Sequence, residues 1–150
     1  MGWTVRLALS AAIVTTVLAT CPSFRWKQFR DMCYWRSFYS KITWYDAGQV
    51  CRNMSGELAS IHDAGLDTFL TKELLKGQAA WVGLRRENSS SDWVWTDGSA
   101  YNYSRWFMDY SDCGDRYPCC AAINYGSDGE WTPSDCIDGD IPFLCQMEAS

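Results

Sequence analysis

The sequence predicts an α+β domain, and three observations carry that expectation. Two helical patterns stand early in the chain, in KITWYDAGQVCRNMSGEL and HDAGLDTFLTKELLKG. From Trp81 onward the character changes to short aromatic and β-branched runs broken by Gly, Asp, Ser and Pro. Between two of those runs lies Thr96–Pro118, rich in turn residues and aromatics and without a helix or strand period, long enough to be a functional loop. Helices that precede a set of strands, with no βαβ alternation, indicate an α+β layer arrangement.

In the first helical pattern Thr43 is the expected cap, with Asp46 three residues on to complete a capping box. Trp44, Ala47, Val50, Cys51 and Met54 then recur at helical spacing, and Gly56 is the expected stop. In the second, Ser60 or Asp63 starts the helix, Leu66, Phe69, Leu70 and Leu74 form the buried stripe, and Gly77 ends it. The strand candidates are AAWVGL, DWVWT, CCAAINY and PFLCQM.

The amino-terminal segment stands apart from this domain. A lone early charge, Arg6, precedes an apolar run from Leu7 to Leu18, and Val17 and Ala19 fit the −3 and −1 positions of a signal-peptidase site. The run is short of the ~20 residues that span a bilayer. The expectation is a signal peptide over 1–19, a single domain over 20–150, and a secreted, extracellular protein.

Loss of Arg6 takes the formal charge from −5 to −6, with 12 basic against 18 acidic residues. An acidic chain without a Lys/Arg run is a poor candidate for nucleic acid or for a membrane surface. The eight cysteines, all beyond residue 20, imply a disulfide framework in a secreted chain. Zinc is disfavoured, because there is no C-x-x-C pair and His62 is the only histidine. Asn53, Asn88 and Asn102 each begin an N-glycosylation sequon.

Six pieces of the chain, in order, carry a family resemblance: CPSFRW with CYW, WYDAGQVC, GELASI, AAWVGLR, WVWTDGSAYNYSRW, and the closing set of Cys120, Trp131, Cys136 and PFLC. Together they resemble a C-type lectin-like domain of the long form over Cys21–Gln146, essentially the whole expected domain. The resemblance implies disulfides Cys21–Cys33, Cys51–Cys145 and Cys120–Cys136. It leaves Cys113 and Cys119, which are not family standards, to pair with each other. An exchanged pairing, Cys119 with Cys136 and Cys113 with Cys120, stays open. Cys51–Cys145 closes nearly the whole domain and is worth about 4–5 kcal/mol in the chain-entropy model.

Sugar-binding members of that family hold a calcium ion between a Glu-Pro-Asn or Gln-Pro-Asp triplet in the long loop and an Asn-Asp pair after the late Trp. Carried over here, Trp106 is the loop Trp and the triplet positions are Tyr110, Ser111 and Asp112. The pair positions after Trp131 are Thr132 and Pro133. Asp112 is the only retained family-type ligand, and calcium prefers six to eight oxygens, several of them carboxylates. The usual calcium site is therefore not expected, and no cofactor is. Asp109, Asp112, Asp115, Asp128, Glu130, Asp135, Asp138 and Asp140 read as solvated loop carboxylates, with a shifted site on Asp112 and Asp135 or Glu130 as the sharper alternative.

Sugar is also bound without metal, by aromatic faces stacked on pyranose rings and by carboxylates that accept from hydroxyls. The candidate binding residues are Phe107, Tyr110, Asp112, Tyr117, Glu130, Thr132 and Asp135, whereas Trp106 matches a core position. Catalysis has little support: a nucleophilic triad needs a placed base, and His62 follows Ile61 at a strand-to-helix turn. Two function classes remain. One is a non-enzymatic glycan-binding module with glycan or glycoprotein partners, and the other a calcium-independent binder of protein, ice or mineral surfaces.

Overall fold

Antiparallel pairing organises the chain into two four-stranded sheets. The structure, a computed structural model, describes residues 18–38, 40–125 and 129–150. Residues 1–17 of the expected signal peptide, and Asp128, lie outside them. In chain order the elements are β1 (Lys27–Phe29), β2 (Met32–Arg36), α1 (Trp44–Asn53), β3 (Glu57–Leu58), α2 (Ala64–Thr68, continued as wider π-helical turns over Phe69–Leu74), β4 (Ala80–Arg86), β5 (Val94–Trp95), a 3-10 turn (Phe107–Asp109), β6 (Cys119–Ile123), β7 (Trp131–Asp135) and β8 (Leu144–Glu148). The first sheet has the order β1-β2-β8-β3, so the two ends of the domain pair with each other; the second has the order β5-β4-β6-β7.

The α1 cap forms as its residues dictate. Thr43 Oγ1 accepts from Asp46 N–H at 3.2 Å and donates to Asp46 Oδ2 at 2.7 Å. Trp44, Ala47 and Cys51 are buried, while Val50 and Met54 are half-buried at the edge of the same stripe. The helix stops earlier than its pattern suggests. Ser55, not Gly56, takes the left-handed position (φ 63), and Gly56 N–H donates to the Cys51 carbonyl at 3.0 Å. Gly56 is needed for a different reason: a Cβ there would run into the Gln146 carbonyl oxygen of β8.

Asp63, not Ser60, caps α2, accepting from Gly65 N–H at 2.9 Å and Leu66 N–H at 3.0 Å. The expected stripe is corrected at its end. Leu66 and Leu70 are buried, but the next fully buried leucine is Leu75, and Leu74 is only half-buried. The cause is the π-helical widening: Leu75 N–H reaches back five residues to the Leu70 carbonyl at 2.8 Å, which shifts the buried face by one position.

The second sheet is covered on both faces, so its strands read as unbroken apolar runs. From β4, Ala80, Val82 and Leu84 join one cluster with Leu66, Leu70, Trp95, Trp106 and Trp131. Trp81 joins the other, with Trp35, Trp44, Cys51 and Phe143. Gly83 lets β4 pass close to β3: a Cβ there would lie 2.9 Å from the Leu58 carbonyl oxygen and 2.7 Å from Thr96 Oγ1. The disulfides are Cys21–Cys33, Cys51–Cys145, Cys113–Cys119 and Cys120–Cys136. They match the pairing implied by resemblance and exclude the exchanged one.

Two substitutions test this framework by urea denaturation. Gly83→Ala is expected to destabilise the domain by about 1–3 kcal/mol through overpacking against backbone. Asp63→Ala is expected to cost about 1 kcal/mol and Asp63→Asn much less, since asparagine also caps. The Arg30 side chain, 2.6 Å away, and the Leu66 N–H draw the Asp63 carboxyl down to about 2. Its contribution is therefore full above the ordinary carboxylate value and fades as pH falls through about 2.

Candidate functional site

The long loop is held on the second sheet by Trp131, which begins β7 and is fully buried. Its backbone N–H donates to the Arg105 carbonyl at 2.7 Å, and it forms a short parallel bridge with Trp106. Three rings meet its indole edge-on, those of Trp95, Tyr103 and Trp106, at 5.8, 5.9 and 5.6 Å between centroids. Its Nε1–H points to Asp67 Oδ1 at 3.4 Å. Tyr103 OH donates to Asp67 Oδ2 at 3.0 Å, and Arg105 Nη1 lies 3.5 Å from the same oxygen. Asp67, on α2, is 1% exposed; burial pushes its carboxyl above the ordinary range, opposed by the donors from Trp131, Tyr103 and Arg105. No periodicity singles out Asp67, and sequence reasoning missed it.

On this platform the loop presents an exposed tip. Trp106 is buried, with Nε1–H donating to Tyr101 OH at 2.7 Å and its ring 4.7 Å from that of Trp93. Trp93 Nε1–H in turn donates to the Ser111 carbonyl at 3.3 Å. Between these anchors, Phe107 is 47% exposed, Met108 80% and Tyr110 56%. Met108 and Asp109 both sit in the left-handed region (φ 50 and 56), which costs a non-glycine residue energy that the anchors on either side must supply. The far side of the loop is pinned by Cys113–Cys119. There Tyr117 OH and Gly114 N–H both donate to Asp112 Oδ1, at 3.0 and 3.2 Å, and the Tyr117 bond, foremost, holds the Asp112 carboxyl below its ordinary range. The Arg86 guanidinium lies over the Tyr117 ring at 5.8 Å.

Phe107, Tyr110, Asp112 and Tyr117 thus lie on one long loop, with only Tyr117 inside the Cys113–Cys119 ring. The other three candidates lie on or beside β7. Glu130 immediately precedes Trp131 and is half-buried. Strand alternation sends Thr132 to the opposite face from Trp131, where its Oγ1 lies 3.5 Å from the Tyr125 carbonyl. Asp135 ends the strand and accepts from Ile137 N–H at 3.1 Å, closing the following turn. Pro133 is buried and brings no ligand atom.

The fit to calcium follows from this donor set. One arm offers Asp112, whose Oδ1 already takes two hydrogen bonds, and the other offers a neutral threonine hydroxyl and a proline with no side-chain ligand. No group of three or more His, Cys, Asp or Glu side chains among the described residues is placed to hold a metal. The residues present do not fit the two-armed calcium arrangement.

The start of the loop is tied to the first sheet by a polar cluster. Ser60 Oγ donates to Asp97 Oδ2 at 2.5 Å, Gln146 Nε2 donates to the same oxygen at 2.8 Å, and His62 Nε2 lies 3.1 Å from Ser60 Oγ. Burial opposes the charge on Asp97, but the hydrogen bonds from Ser60, Ser99 and Gln146 outweigh it and hold the carboxyl below its ordinary range. The serine stands between histidine and carboxylate, not the histidine between serine and carboxylate as in a catalytic triad, and the cluster braces the start of the loop against β8.

Comparison with known proteins is consistent with this geometry. The family model described as "Lectin C-type domain" matches residues 40–147. Lectin BRA-3 of Megabalanus rosa is 27% identical over 146 residues, covering 95% of this chain and 88% of that protein. Among solved structures, the cow C-type carbohydrate-recognition domain of CD23, crystallised in the presence of GlcNAc2Man3 oligosaccharide, is 28% identical with a TM-score of 0.78, covering 89% of this chain and 99% of that one. A Ca2+-dependent type II antifreeze protein in its Ca2+-free form is 26% identical with a TM-score of 0.75, covering 85% and 99%.

Asp67→Asn tests the platform. An amide offers one acceptor where Trp131 and Tyr103 both donate, so the variant is expected to lose about 1–3 kcal/mol at neutral pH, read by denaturant unfolding. Because burial raises the folded-state value of Asp67, its carboxyl favours folding at low pH. That contribution falls as pH rises from the ordinary carboxylate value through the raised one, and the variant's stability profile should lack this decline.

Proposed function

The chain belongs to the C-type lectin domain family, and on that premise we propose that it is a secreted, non-enzymatic recognition module that binds glycans through its long-loop face with little or no dependence on calcium. The observation that carries this reading is the loop tip, where Phe107 and Tyr110 stand exposed on a buried tryptophan platform beside a donor set that does not fit calcium. Exposed aromatic rings carried on a buried base are suited to stack on a pyranose face. Asp112 and Tyr117, on the same loop, are the polar groups that would meet sugar hydroxyls. The lectin name of the barnacle relative and the oligosaccharide named with the cow domain support glycan as the ligand class. Secretion rests on the amino-terminal pattern and the disulfide framework.

A second reading is calcium-independent binding of a protein, ice or mineral surface by the same tip. It is favoured by Met108, the most exposed large hydrophobic of the tip, which gives it an apolar crown; the likeness to a Ca2+-dependent antifreeze protein bears on ice as a surface class and not on calcium independence.

A glycan array run with calcium and again with chelator separates these readings. Equal binding in both conditions is expected, with a melting temperature that chelator leaves unchanged. Binding abolished by chelator would overturn calcium independence, and no glycan binding in either condition would favour the second reading. Phe107→Ala with Tyr110→Ala is expected to weaken glycan binding by about 2–10-fold per ring removed.

A further inference from the structure

No run of Lys or Arg stands in the sequence, yet the fold gathers four cations at one place. Arg25 lies in the turn before β1, Lys27 begins β1, Arg36 ends β2, and Lys76 follows the π-helical end of α2 in a left-handed conformation (φ 52). With Phe24 and Phe38 they line a groove of about 340 Å³ that has no carboxylate in its wall. Four arginines elsewhere are matched to carboxylates, Arg30 with Asp63, Arg52 with Glu57, Arg85 with Glu87 and Arg105 with Asp67, while Arg86 and Arg116 donate to backbone carbonyls. None of the four groove cations pairs with a carboxylate among the described residues; Arg36 donates to the Gln78 side-chain oxygen, a neutral acceptor. One acid, Asp140, borders the adjoining cavity that shares Arg36 and Phe38.

In a chain of net negative charge, four like charges left together cost energy unless a partner neutralises them. The two phenylalanines are equally unused by the fold, at 84% and 74% exposed. Each carries a guanidinium over its ring at 5.8 Å, Arg25 on Phe24 and Arg36 on Phe38. Stacking of this kind holds the planar fork in place, ready for bidentate contact with an oxyanion. The Cys21–Cys33 disulfide ties the Phe24–Arg25 turn to β2, so the groove wall is fixed.

We infer that this groove is a second recognition site, separate from the long loop, for a linear sulfated glycan. The groove takes a chain lengthwise, with sulfates on Arg25, Lys27, Arg36 and Lys76 and the ring edges along the sugar backbone. A flat bilayer cannot enter a concave groove, and ring faces already covered by arginine are not free to insert into lipid. No residue is shared with the long-loop site, so this proposal does not rest on the glycan reading made there.

The test titrates the purified protein with heparin-derived oligosaccharide by calorimetry over a series of salt concentrations. Binding is expected to weaken with salt, and Arg25→Gln/Lys27→Gln/Lys76→Gln to flatten the slope of log K against log[salt] by about 2–3 units, as loss of three ionic contacts requires. Unchanged near-UV dichroism shows that this variant is folded. Arg52→Gln/Arg85→Gln, which removes two charges against the triple variant's three, and Phe107→Ala/Tyr110→Ala are both expected to leave heparin binding intact. The proposal is overturned by absence of heparin binding, by a slope the triple variant does not change, or by equal loss in the Arg52/Arg85 variant. Equal affinity for desulfated heparin or hyaluronate, or binding of phosphatidylserine vesicles or single-stranded DNA in place of heparin, overturns it too.

Discussion

The contact between Trp131 and Asp67 is the constraint on which the long loop depends. An indole N–H and a phenol O–H converge on one buried carboxylate of α2, and three aromatic rings close around the indole. A carboxylate in that setting is tolerable only while its donors stay in place, because an unmatched buried charge costs several kcal/mol. Loop and helix therefore hold each other: Tyr103 and Arg105 satisfy Asp67, and Asp67 fixes the segment that leads to Trp106. Beyond that anchor the chain has little freedom, since Trp106 is locked by Tyr101 and Trp93. The exposed tip stands on a buried base.

A second constraint acts at the base of the same loop. Consecutive residues of a strand face opposite sides of a sheet. Cys119 and Cys120, adjacent on β6, therefore enter different cores: Cys119 packs with Cys113 on the long-loop side, and Cys120 with Cys136 on the α1 side. One strand thus carries both a loop staple and a core staple. The same alternation turns Trp131 towards the loop and Thr132 to the opposite face; a register match at β7 fails to deliver two ligands because the pair positions hold a neutral hydroxyl and a proline.

Much of the architecture was legible in local pattern. The α1 stripe, both helix caps and the four apolar strand runs are short-range features, and they appear where the residues put them. The misreadings have local physical causes. A π-helical widening moved the buried position from Leu74 to Leu75, and Ser55 took the left-handed turn expected of Gly56, whose own role is to make room for the Gln146 carbonyl. Of the candidate residues, Phe107, Tyr110, Asp112 and Tyr117 are close in sequence and lie on the same loop, where Tyr117 and Asp112 are hydrogen-bonded. Asp67 lies 36 residues from the nearest of its loop partners, beyond the reach of any window of periodicity.

By itself the sequence determined the element types, the disulfide-dense family of the fold and the loss of the usual calcium ligands. Each of these is written in residue identity at fixed spacing: caps, apolar periods, cysteine positions, and a threonine and proline where ligands belong. Only the tertiary structure decided which cysteine of the adjacent pair meets Cys113, that a helix aspartate supports the long loop, and that cations from three separate segments line one groove in an acidic protein. These are facts of long-range proximity. They follow from which face a strand turns to which core, and no count of charges or cysteines along the chain contains that information.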